Sequence, residues 1–283
     1  MIGTKSIFTF LMLALAGCTN VFYQPSREKY FTPSEKAGAE PEEVFFQSPD
    51  GPRLHGWFFS SKKSPSQGTV IQFHGNAENM TSHFLSTAWV IRYGYNLFTF
   101  DYRGYGQSEG APYPAGVHLD ALAALNEVKR RAVGPVIVYG QSLGGAIALR
   151  ALEDWGGRTD VQAIVIESSF LSYRKIARQK LADYWLTWPF QWMSALLVSD
   201  SHSPKKKILE LAPIPILVVH GTEDPIVPFK FGKAIFDAAG EPKCLWPIAS
   251  TVHGHLMNTE QGRLRQPMVD FFERRSCPVS QSN

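Results

Sequence analysis

Residues 136–149 read VIVYGQSLGGAIAL. In this stretch Ser142 stands between Gly140 and Gly144, after a largely β-branched run and before a run of small apolar residues. The first run is typical of a buried strand, and the second is typical of a helix that packs closely on a sheet. A strained turn at such a corner pushes the serine out over the end of the sheet. We therefore predict that Ser142 is a nucleophile, although a serine here could also simply cap the helix.

Strands and helices alternate along most of the remaining chain. Short apolar runs predict strands at 44–47, 54–59, 69–73, 96–100, 136–139, 161–166, 214–219 and 244–248. Helical spacing predicts helices at 81–93, 115–131, 143–155 and 259–274. This order predicts an α/β fold with a mostly parallel, doubly wound sheet. The first two strands would form an antiparallel hairpin at one edge.

One connection is too long for this pattern. Residues 168–211 separate two predicted strands, and a strand-to-helix connection needs far fewer residues. We predict that this insertion forms a helical cap over Ser142. It contains four aromatic side chains close together: Tyr184, Trp185, Trp188 and Trp192. These side chains could line a substrate pocket or pack the cap onto the domain, and the tryptophans could instead touch a membrane interface.

A serine hydroxyl needs a base, and the base needs a carboxylate that orients it. Asp224 lies in the loop after a predicted strand, where the sites of such sheets collect, and Glu223 is its competitor. An Asx turn before the following proline would be a purely structural role for Asp224. Two histidines, His253 and His255, follow the last predicted strand, and both are candidates for the base.

Backbone N–H groups near Ser142 can hold the negative charge that develops on an attacked carbonyl oxygen. We predict that Asn76 and Leu143 donate these bonds, because Asn76 follows a central strand and Leu143 begins the helix after the serine. His74 is expected to be structural. No pair of histidines has credible zinc-binding spacing, and we expect neither a metal nor a cofactor.

Four motifs together resemble those of the α/β-hydrolase superfamily: HGN at 74–76, DYRGYGQS at 101–108, GQSLGG at 140–145 and HGTEDPIVP at 220–228. The resemblance covers about residues 43 to 275 and is closest to the serine aminopeptidase-like and monoacylglycerol-lipase-like branch. It implies a triad of Ser142, Asp224 and His253, with His255 as the spare base. The chain departs from many relatives by having Val-His-Gly-His where they have Gly-His.

The resemblance also implies a serine hydrolase that works through an acyl-enzyme. We expect carboxylic esters, including acyl lipids, as substrates, because no acidic cluster marks a pocket for an amino group. A serine aminopeptidase or amidase is the alternative within the family. A non-catalytic envelope lipoprotein that uses the fold as a binding scaffold is the alternative outside it. Asp101 and Arg103 are expected to be structural charges.

The N-terminus predicts export and anchoring. Residues 1–5 carry a lysine and no acid, and residues 6–16 are largely apolar but too few to cross a bilayer. The sequence LAGC at 15–18 resembles a bacterial lipobox, which implies cleavage before Cys18 and its acylation, for example with palmitate. Thr19 then favours the outer membrane. We therefore predict a periplasmic protein that is lipid-anchored through Cys18.

The predicted boundaries follow from these segments. They are a signal peptide at 1–17, a polar tether at 18–41, a hydrolase domain at 42–276 and a tail at 277–283. The net charge of +3, with no longer like-charge run than KKK at 205–207, gives no sign of nucleic-acid binding. An oxidising periplasm permits a disulfide between Cys244 and Cys277, but we expect two free thiols.

Overall fold

The central sheet of the computed structural model has eight strands. The structure describes residues 18–278 except 205, 206, 251, 260 and 261, so the predicted signal peptide, part of the lysine run and the end of the tail lie outside it. In chain order the strands of the described residues are β1 (Gln24–Pro25), β2 (Glu42–Gln47), β3 (Arg53–Phe59), β4 (Gly68–Phe73), β5 (Ala77–Glu78), β6 (Tyr95–Asp101), β7 (Val136–Gln141), β8 (Val161–Glu167), β9 (Ile216–Gly221) and β10 (Lys243–Ile248). Strands β1 and β5 form a separate two-stranded sheet, and the other eight form the central one.

The order of the strands in the sheet is β10-β9-β8-β7-β4-β6-β3-β2. Strands from β10 to β6 pair in parallel, whereas β3 pairs antiparallel with both β6 and β2. The predicted α/β fold, with its antiparallel hairpin at one edge, is therefore confirmed. Parallel strands end at the same side of the sheet, so the loops after β4, β7, β9 and β10 meet there.

Helices cover both faces of the sheet. In chain order they are α1 (Pro33–Ala37), α2 (Met80–His83), α3 (Val90–Tyr93), α4 (Pro114–Arg131), α5 (Leu143–Asp154), α6 (Tyr173–Ala182), α7 (Met193–Leu197), α8 (Phe229–Ala238) and α9 (Arg265–Arg274). Side chains of α4, α5 and α8 pack in one core cluster, and side chains of α2, α3 and α9 pack in another. Strand residues alternate between the clusters, as Val70 and Ile71 of β4 do, because successive side chains of a strand point to opposite faces.

One predicted helix is broken. The segment at 81–93 forms α2, a 3-10 turn at Phe84–Ser86 and then α3. Thr87 Oγ1 donates a hydrogen bond to the Phe84 carbonyl, and Trp89 Nε1 donates to the Ser86 carbonyl. The Phe84 carbonyl also accepts from the backbone N–H groups of Thr87 and Ala88, at 3.0 and 2.7 Å, so the turn is tightened to a 3-10 geometry between the two short helices.

Residues 18–41 do not behave as the predicted tether. Residues Cys18–Phe22 form a 3-10 turn, and β1 pairs in parallel with β5. Tyr23 is buried, and its hydroxyl lies 3.3 Å from that of Tyr173 in α6. The prediction of a tether is therefore wrong for residues 18–25, whose apolar and backbone groups find partners on the domain.

The expectation of two free thiols is also wrong. Cys244 in β10 and Cys277 after α9 form a disulfide, and their Cα atoms are 5.4 Å apart. The bond ties the end of the chain to the edge strand of the sheet. Sequence could not show this pairing, because the two residues meet only after α9 has folded back on the sheet. Within the part of the chain that the structure describes, no helix is long and apolar enough to span a bilayer.

Candidate active site

Ser142 lies at the corner between β7 and α5, as predicted. Its backbone has φ 53° and ψ −122°, a conformation that strains any residue with a side chain. The neighbouring glycines make the corner possible. A Cβ on Gly144 would lie 2.1 Å from the carbonyl oxygen of Phe73, so α5 can begin this close to the end of β4 only with glycine there. The corner is fixed further by the Ser142 N–H, which donates to the carbonyl oxygen of Glu167 at 2.8 Å.

Asp224 follows β9, and its carboxylate is fully buried. Oδ1 accepts hydrogen bonds from the backbone N–H groups of Ile226 and Val227, at 2.8 and 2.9 Å. Burial alone would raise the pKa of this carboxyl group, but hydrogen bonds from His253 and from the two backbone groups keep it below its ordinary value. The competing acid Glu223 is exposed to solvent. Asp224 is thus an ionised, immobilised acceptor.

His253 lies between Asp224 and Ser142. Its Nδ1 is 2.8 Å from Asp224 Oδ2, and its Nε2 is 2.9 Å from Ser142 Oγ. With the proton on Nδ1, the ring donates to the carboxylate and accepts from the serine hydroxyl. His255, the other candidate, points elsewhere: its ring stacks on that of His83 with centroids 6.0 Å apart. The three side chains predicted from the motifs therefore form one continuous hydrogen-bonded series.

Glu167 is a site residue that the sequence analysis missed. It ends β8 and is fully buried. Its Oε1 accepts from the backbone N–H of Leu256 at 2.6 Å, and its Oε2 accepts from the Tyr139 hydroxyl at 2.6 Å. The carboxylate therefore ties the loop that carries His253 to β7, the strand that leads into Ser142. A lone acid at the end of an otherwise apolar strand was the available signal.

Two histidines lie behind the site, of which His74 is fully buried and His83 is half-buried. The ring of His74 stacks on that of His83, with centroids 5.3 Å apart. Burial, together with the neighbouring His74, lowers the pKa of His83 to about 3, so this ring is neutral at ordinary pH. Its Nε2 lies 2.9 Å from the carbonyl oxygen of Ala77. Within the described ranges, no group of three or more histidine, cysteine or acidic side chains could hold a metal ion.

Arg103, after β6, occupies the centre of a buried charge cluster. Its guanidinium lies 2.8 Å from the carboxylate of Asp120 in α4 and 2.7 Å from that of Asp50 in the β2–β3 turn. Asp120 also accepts from the Arg103 backbone N–H at 2.9 Å. The cluster joins a loop, a helix and a hairpin. Separately, Asp101 accepts from the Met80 N–H at 2.7 Å. These contacts are structural, as expected for both charges.

Asn76 and Leu143, the predicted oxyanion donors, border the same cavity as Ser142 and His253. The peptide after Asn76 is held in place by its carbonyl oxygen, which accepts from Gln24 N–H at 3.0 Å and from the Tyr105 hydroxyl at 2.6 Å. The N-terminal segment thus helps to fix the loop that faces Ser142.

The cavity above Ser142 has a volume of about 790 Å³. The cap supplies much of its wall, from Phe170, Ile176, Leu181, Tyr184, Leu197 and Val198. The N-terminal segment contributes Val21 and Phe22. Among the described residues that line this cavity, Lys180 is the only one with a permanent charge, and none is acidic. The wall therefore suits an apolar group more than a charged one.

Of the four aromatic residues predicted to line a substrate pocket, only one borders the cavity. Tyr184 lines the cavity, although most of its surface is exposed. Trp185, Trp188 and Trp192 do not line it, and they are 85, 61 and 61% exposed. The prediction of an acyl pocket formed by these tryptophans is wrong, and so is the alternative that they pack the cap onto the domain. The apolar wall of the cavity comes instead from smaller aliphatic residues of α6 and α7, such as Ile176, Leu181 and Leu197.

Comparison with known proteins finds relatives that align with almost the whole length of the chain. It is 34% identical over 274 residues to the uncharacterized protein YfhR of Escherichia coli K12, with 93% of each chain covered. It is 32% identical over 200 residues to the lysophosphatidylserine lipase ABHD12 of Danio rerio, which spans 67% of this chain and 51% of that protein. Among solved structures, an esterase of Pyrococcus furiosus superposes with a TM-score of 0.70 at 20% identity, covering 89% of this chain and 98% of that one.

The family comparison points the same way. The model of the family described as serine aminopeptidase S33 matches residues 64–211, which contain Ser142 and the cap. Asp224 and His253 lie beyond this matched range. The alignment with YfhR, by contrast, covers 93% of the chain. The chain belongs to the serine aminopeptidase S33 family of α/β-hydrolases.

Proposed function

We propose that the protein is a serine hydrolase that cleaves carboxylic esters through an acyl-enzyme formed on Ser142. The observation that carries this proposal is the hydrogen-bonded series from Ser142 through His253 to Asp224, opening into a cavity with a mainly apolar wall. Each distance is within the range for a nucleophile, a base and an orienting carboxylate.

In the first half of the reaction His253 Nε2 accepts the proton of Ser142 Oγ, and the oxygen attacks the ester carbonyl carbon. The carbonyl oxygen becomes an oxyanion that the N–H groups of Asn76 and Leu143 hold. The imidazolium formed on His253 is stabilised by Asp224, which the hydrogen bonds to its carboxylate keep ionised. The tetrahedral intermediate then collapses, and His253 gives its proton to the departing alcohol.

In the second half a water molecule replaces the alcohol. His253 Nε2 accepts a proton from this water, whose oxygen attacks the acyl carbon. Collapse of the second tetrahedral intermediate breaks the bond to Ser142 Oγ, which takes the proton back from His253. The products are a carboxylic acid and the free enzyme.

The wall of the cavity favours an ester over an aminoacyl substrate. A free α-amino group would carry a positive charge, and burying it requires a paired negative charge. The described residues of the wall include no carboxylate, and Lys180 would repel an ammonium group. The lipase name of the Danio rerio relative is in keeping with an acyl ester, whereas the family description names an aminopeptidase.

The test is a series of p-nitrophenyl acyl esters of increasing chain length, with fluorophosphonate labelling, on the full chain purified in detergent. We expect turnover and labelling in the wild type and the loss of both in Ser142→Ala. Ser66→Ala is the matched control, because Ser66 lies in the loop before β4, at the opposite end of that strand from the site.

Two results would contradict the proposal in different ways. Turnover of aminoacyl amides in preference to acyl esters would favour the aminopeptidase. A wild type that neither turns over nor labels would favour a non-catalytic envelope lipoprotein that uses the fold as a binding scaffold.

We also propose that the mature protein is periplasmic and lipid-anchored at Cys18, with the outer membrane favoured. The lipobox-like sequence at 15–18 supports this proposal, and the disulfide between Cys244 and Cys277 is in keeping with an oxidising compartment. Growth of an expressing bacterium with radioactive palmitate tests it. We expect label in the wild type and none in Cys18→Ser, and label that persists in Cys18→Ser would overturn the assignment.

A further inference from the structure

The tip of the cap, residues 184–197, exposes an unusual amount of apolar surface. Seven of its large side chains are about half or more exposed: Tyr184, Trp185, Leu186, Trp188, Phe190, Trp192 and Leu196. A contiguous apolar patch of this kind on a folded domain marks a surface that something else covers.

The tryptophans of the domain are buried, whereas those of the tip are exposed. The chain has seven tryptophans, and Trp57, Trp89, Trp155 and Trp246 are all buried. The three exposed ones lie within eight residues of one another, on the cap tip. Tryptophan has a preference for the boundary between lipid and water, where its ring is in the apolar layer and its N–H reaches water.

The tip itself is uncharged, and the acid directly before it, Asp183, pairs with Lys180 at 3.3 Å. Residues 184–199 contain no charged side chain. Helix α6, which leads into the tip, contains no acid and exposes Arg174, Lys175 and Arg178. An uncharged aromatic surface beside a cationic helix is complementary to a bilayer that has an apolar interior and anionic headgroups.

The described chain begins beside this surface. The Thr19 hydroxyl oxygen accepts a hydrogen bond from the backbone N–H of Ser199, at 2.9 Å, at the end of the uncharged segment. Val21 is 66% exposed and borders the same cavity as Tyr184. Thr19 and Tyr23 are buried in the domain, so residue 18 lies beside the cavity wall to which Val21 and Phe22 contribute.

We infer that the cap tip and residues 18–22 together form a surface that docks on a phospholipid bilayer, with the cavity opening toward the lipid. A lipid attached to Cys18 would then hold the domain in this orientation. An acyl substrate would enter from the membrane, between Tyr184 and Val21, without crossing water. The direction of substrate entry rests on the proposed esterase function, whereas the docking surface does not.

The test is fluorescence quenching by brominated lipid. The full chain is reconstituted in vesicles of phosphatidylethanolamine and phosphatidylglycerol, with and without bromine on the acyl chains next to the headgroup. We expect bromine to quench the wild type strongly. The triple variant Trp185→Phe, Trp188→Phe, Trp192→Phe should lose that quenching, because it keeps the apolar surface and removes only the exposed fluorophores. Trp155→Phe is the matched control and should be quenched as strongly as the wild type, since Trp155 is buried.

Three outcomes are decisive. Equal fluorescence of the wild type in brominated and plain vesicles would overturn the docking surface. A lipid-free dimer that separates when the three tryptophans become alanine, together with absent quenching, would assign the surface to a second copy of the chain. Turnover of p-nitrophenyl butyrate by the same samples separates the proposals, because quenching without turnover refutes the esterase and leaves the docking surface in place.

Discussion

The floor of the site and the tip of the cap use opposite kinds of surface. The floor comprises the carboxyl ends of β7, β8, β9 and β10 and the loops that follow them. Three polar side chains there, Asp224, Glu167 and His220, are at most 5% exposed, and each makes a hydrogen bond. The tip comprises residues 184–197, where large apolar side chains face outward. Burying polar groups costs free energy unless each finds a partner, and exposing apolar groups costs free energy unless something covers them.

Changes in the floor should therefore affect chemistry, whereas changes in the tip should affect only contact with lipid. Polar groups in the floor fix the geometry of the reacting atoms, so their loss should lower turnover or stability. Apolar groups on the tip make few contacts within the chain, so their loss should leave both nearly unchanged.

The largest effect is expected for Asp224→Asn. The amide keeps the shape of the side chain but holds His253 in the wrong tautomer and removes the charge that stabilises the imidazolium. We expect turnover of p-nitrophenyl esters to fall by about 10⁴-fold with the fold intact. Glu223→Gln is the matched control, because Glu223 is exposed, and it should change turnover little. Comparable losses in both variants would contradict the assignment of Asp224.

The next effect concerns the charge cluster of Arg103, Asp120 and Asp50, which joins the loop after β6 to α4 and the β2–β3 turn. Asp120→Ala leaves Arg103 buried with one carboxylate fewer, and we expect the free energy of unfolding to drop by about 3–5 kcal/mol in urea denaturation. Asp50→Ala removes the other carboxylate that contacts Arg103. Because the Asp50 side chain is partly exposed, this variant should lose clearly less free energy of unfolding. Equal costs would mean that burial does not govern this cluster.

These two regions also differ in how far the sequence predicts them. The position of Ser142 follows from local pattern, because the strand, the glycines and the helix are contiguous and the strained turn needs no distant partner. Asp224 and His253 follow from the order of loops at one edge of a parallel sheet. The packing of residues 18–25, the disulfide and the exposure of Trp185 depend on tertiary contacts. Hydrophobicity alone predicts burial, so it fails where the outside of the molecule is itself apolar.

A smaller effect is expected for Glu167→Gln. The substitution weakens the charged acceptor for the Leu256 N–H, a bond worth about 1.5–3 kcal/mol when the acceptor is ionised. We expect a fall in kcat with little change in KM, because Glu167 positions the loop of His253 and does not line the cavity. Tyr139→Phe removes only the other bond to the same carboxylate and should have a weaker effect. A change in KM alone would contradict the positioning role.

The pH dependence of stability tests His83, the half-buried histidine of α2 behind the site. In the folded state the pKa of His83 is about 3, below its ordinary value of 6.5. As the pH falls below 6.5, the unfolded chain binds a proton that the folded chain excludes, so stability decreases toward acid. This group contributes a loss of about 2 kcal/mol between pH 7 and pH 5. His83→Gln should reduce the slope of unfolding free energy against pH by one proton, and an unchanged slope would refute the neutral ring.

The smallest effect on stability and turnover is expected for the exposed tryptophans of the cap tip. Replacement of Trp185, Trp188 and Trp192 by alanine should change the free energy of unfolding by no more than about 0.5 kcal/mol per residue, because exposed side chains leave no cavity. Turnover of a water-soluble ester should also stay near that of the wild type. By contrast, Trp246→Ala, in β10 and 4% exposed, should cost about 3–5 kcal/mol. Urea denaturation of both variants measures the contrast directly. A large loss in the triple variant would mean that the tip is held by the domain, and the bilayer would no longer be needed to explain its tryptophans.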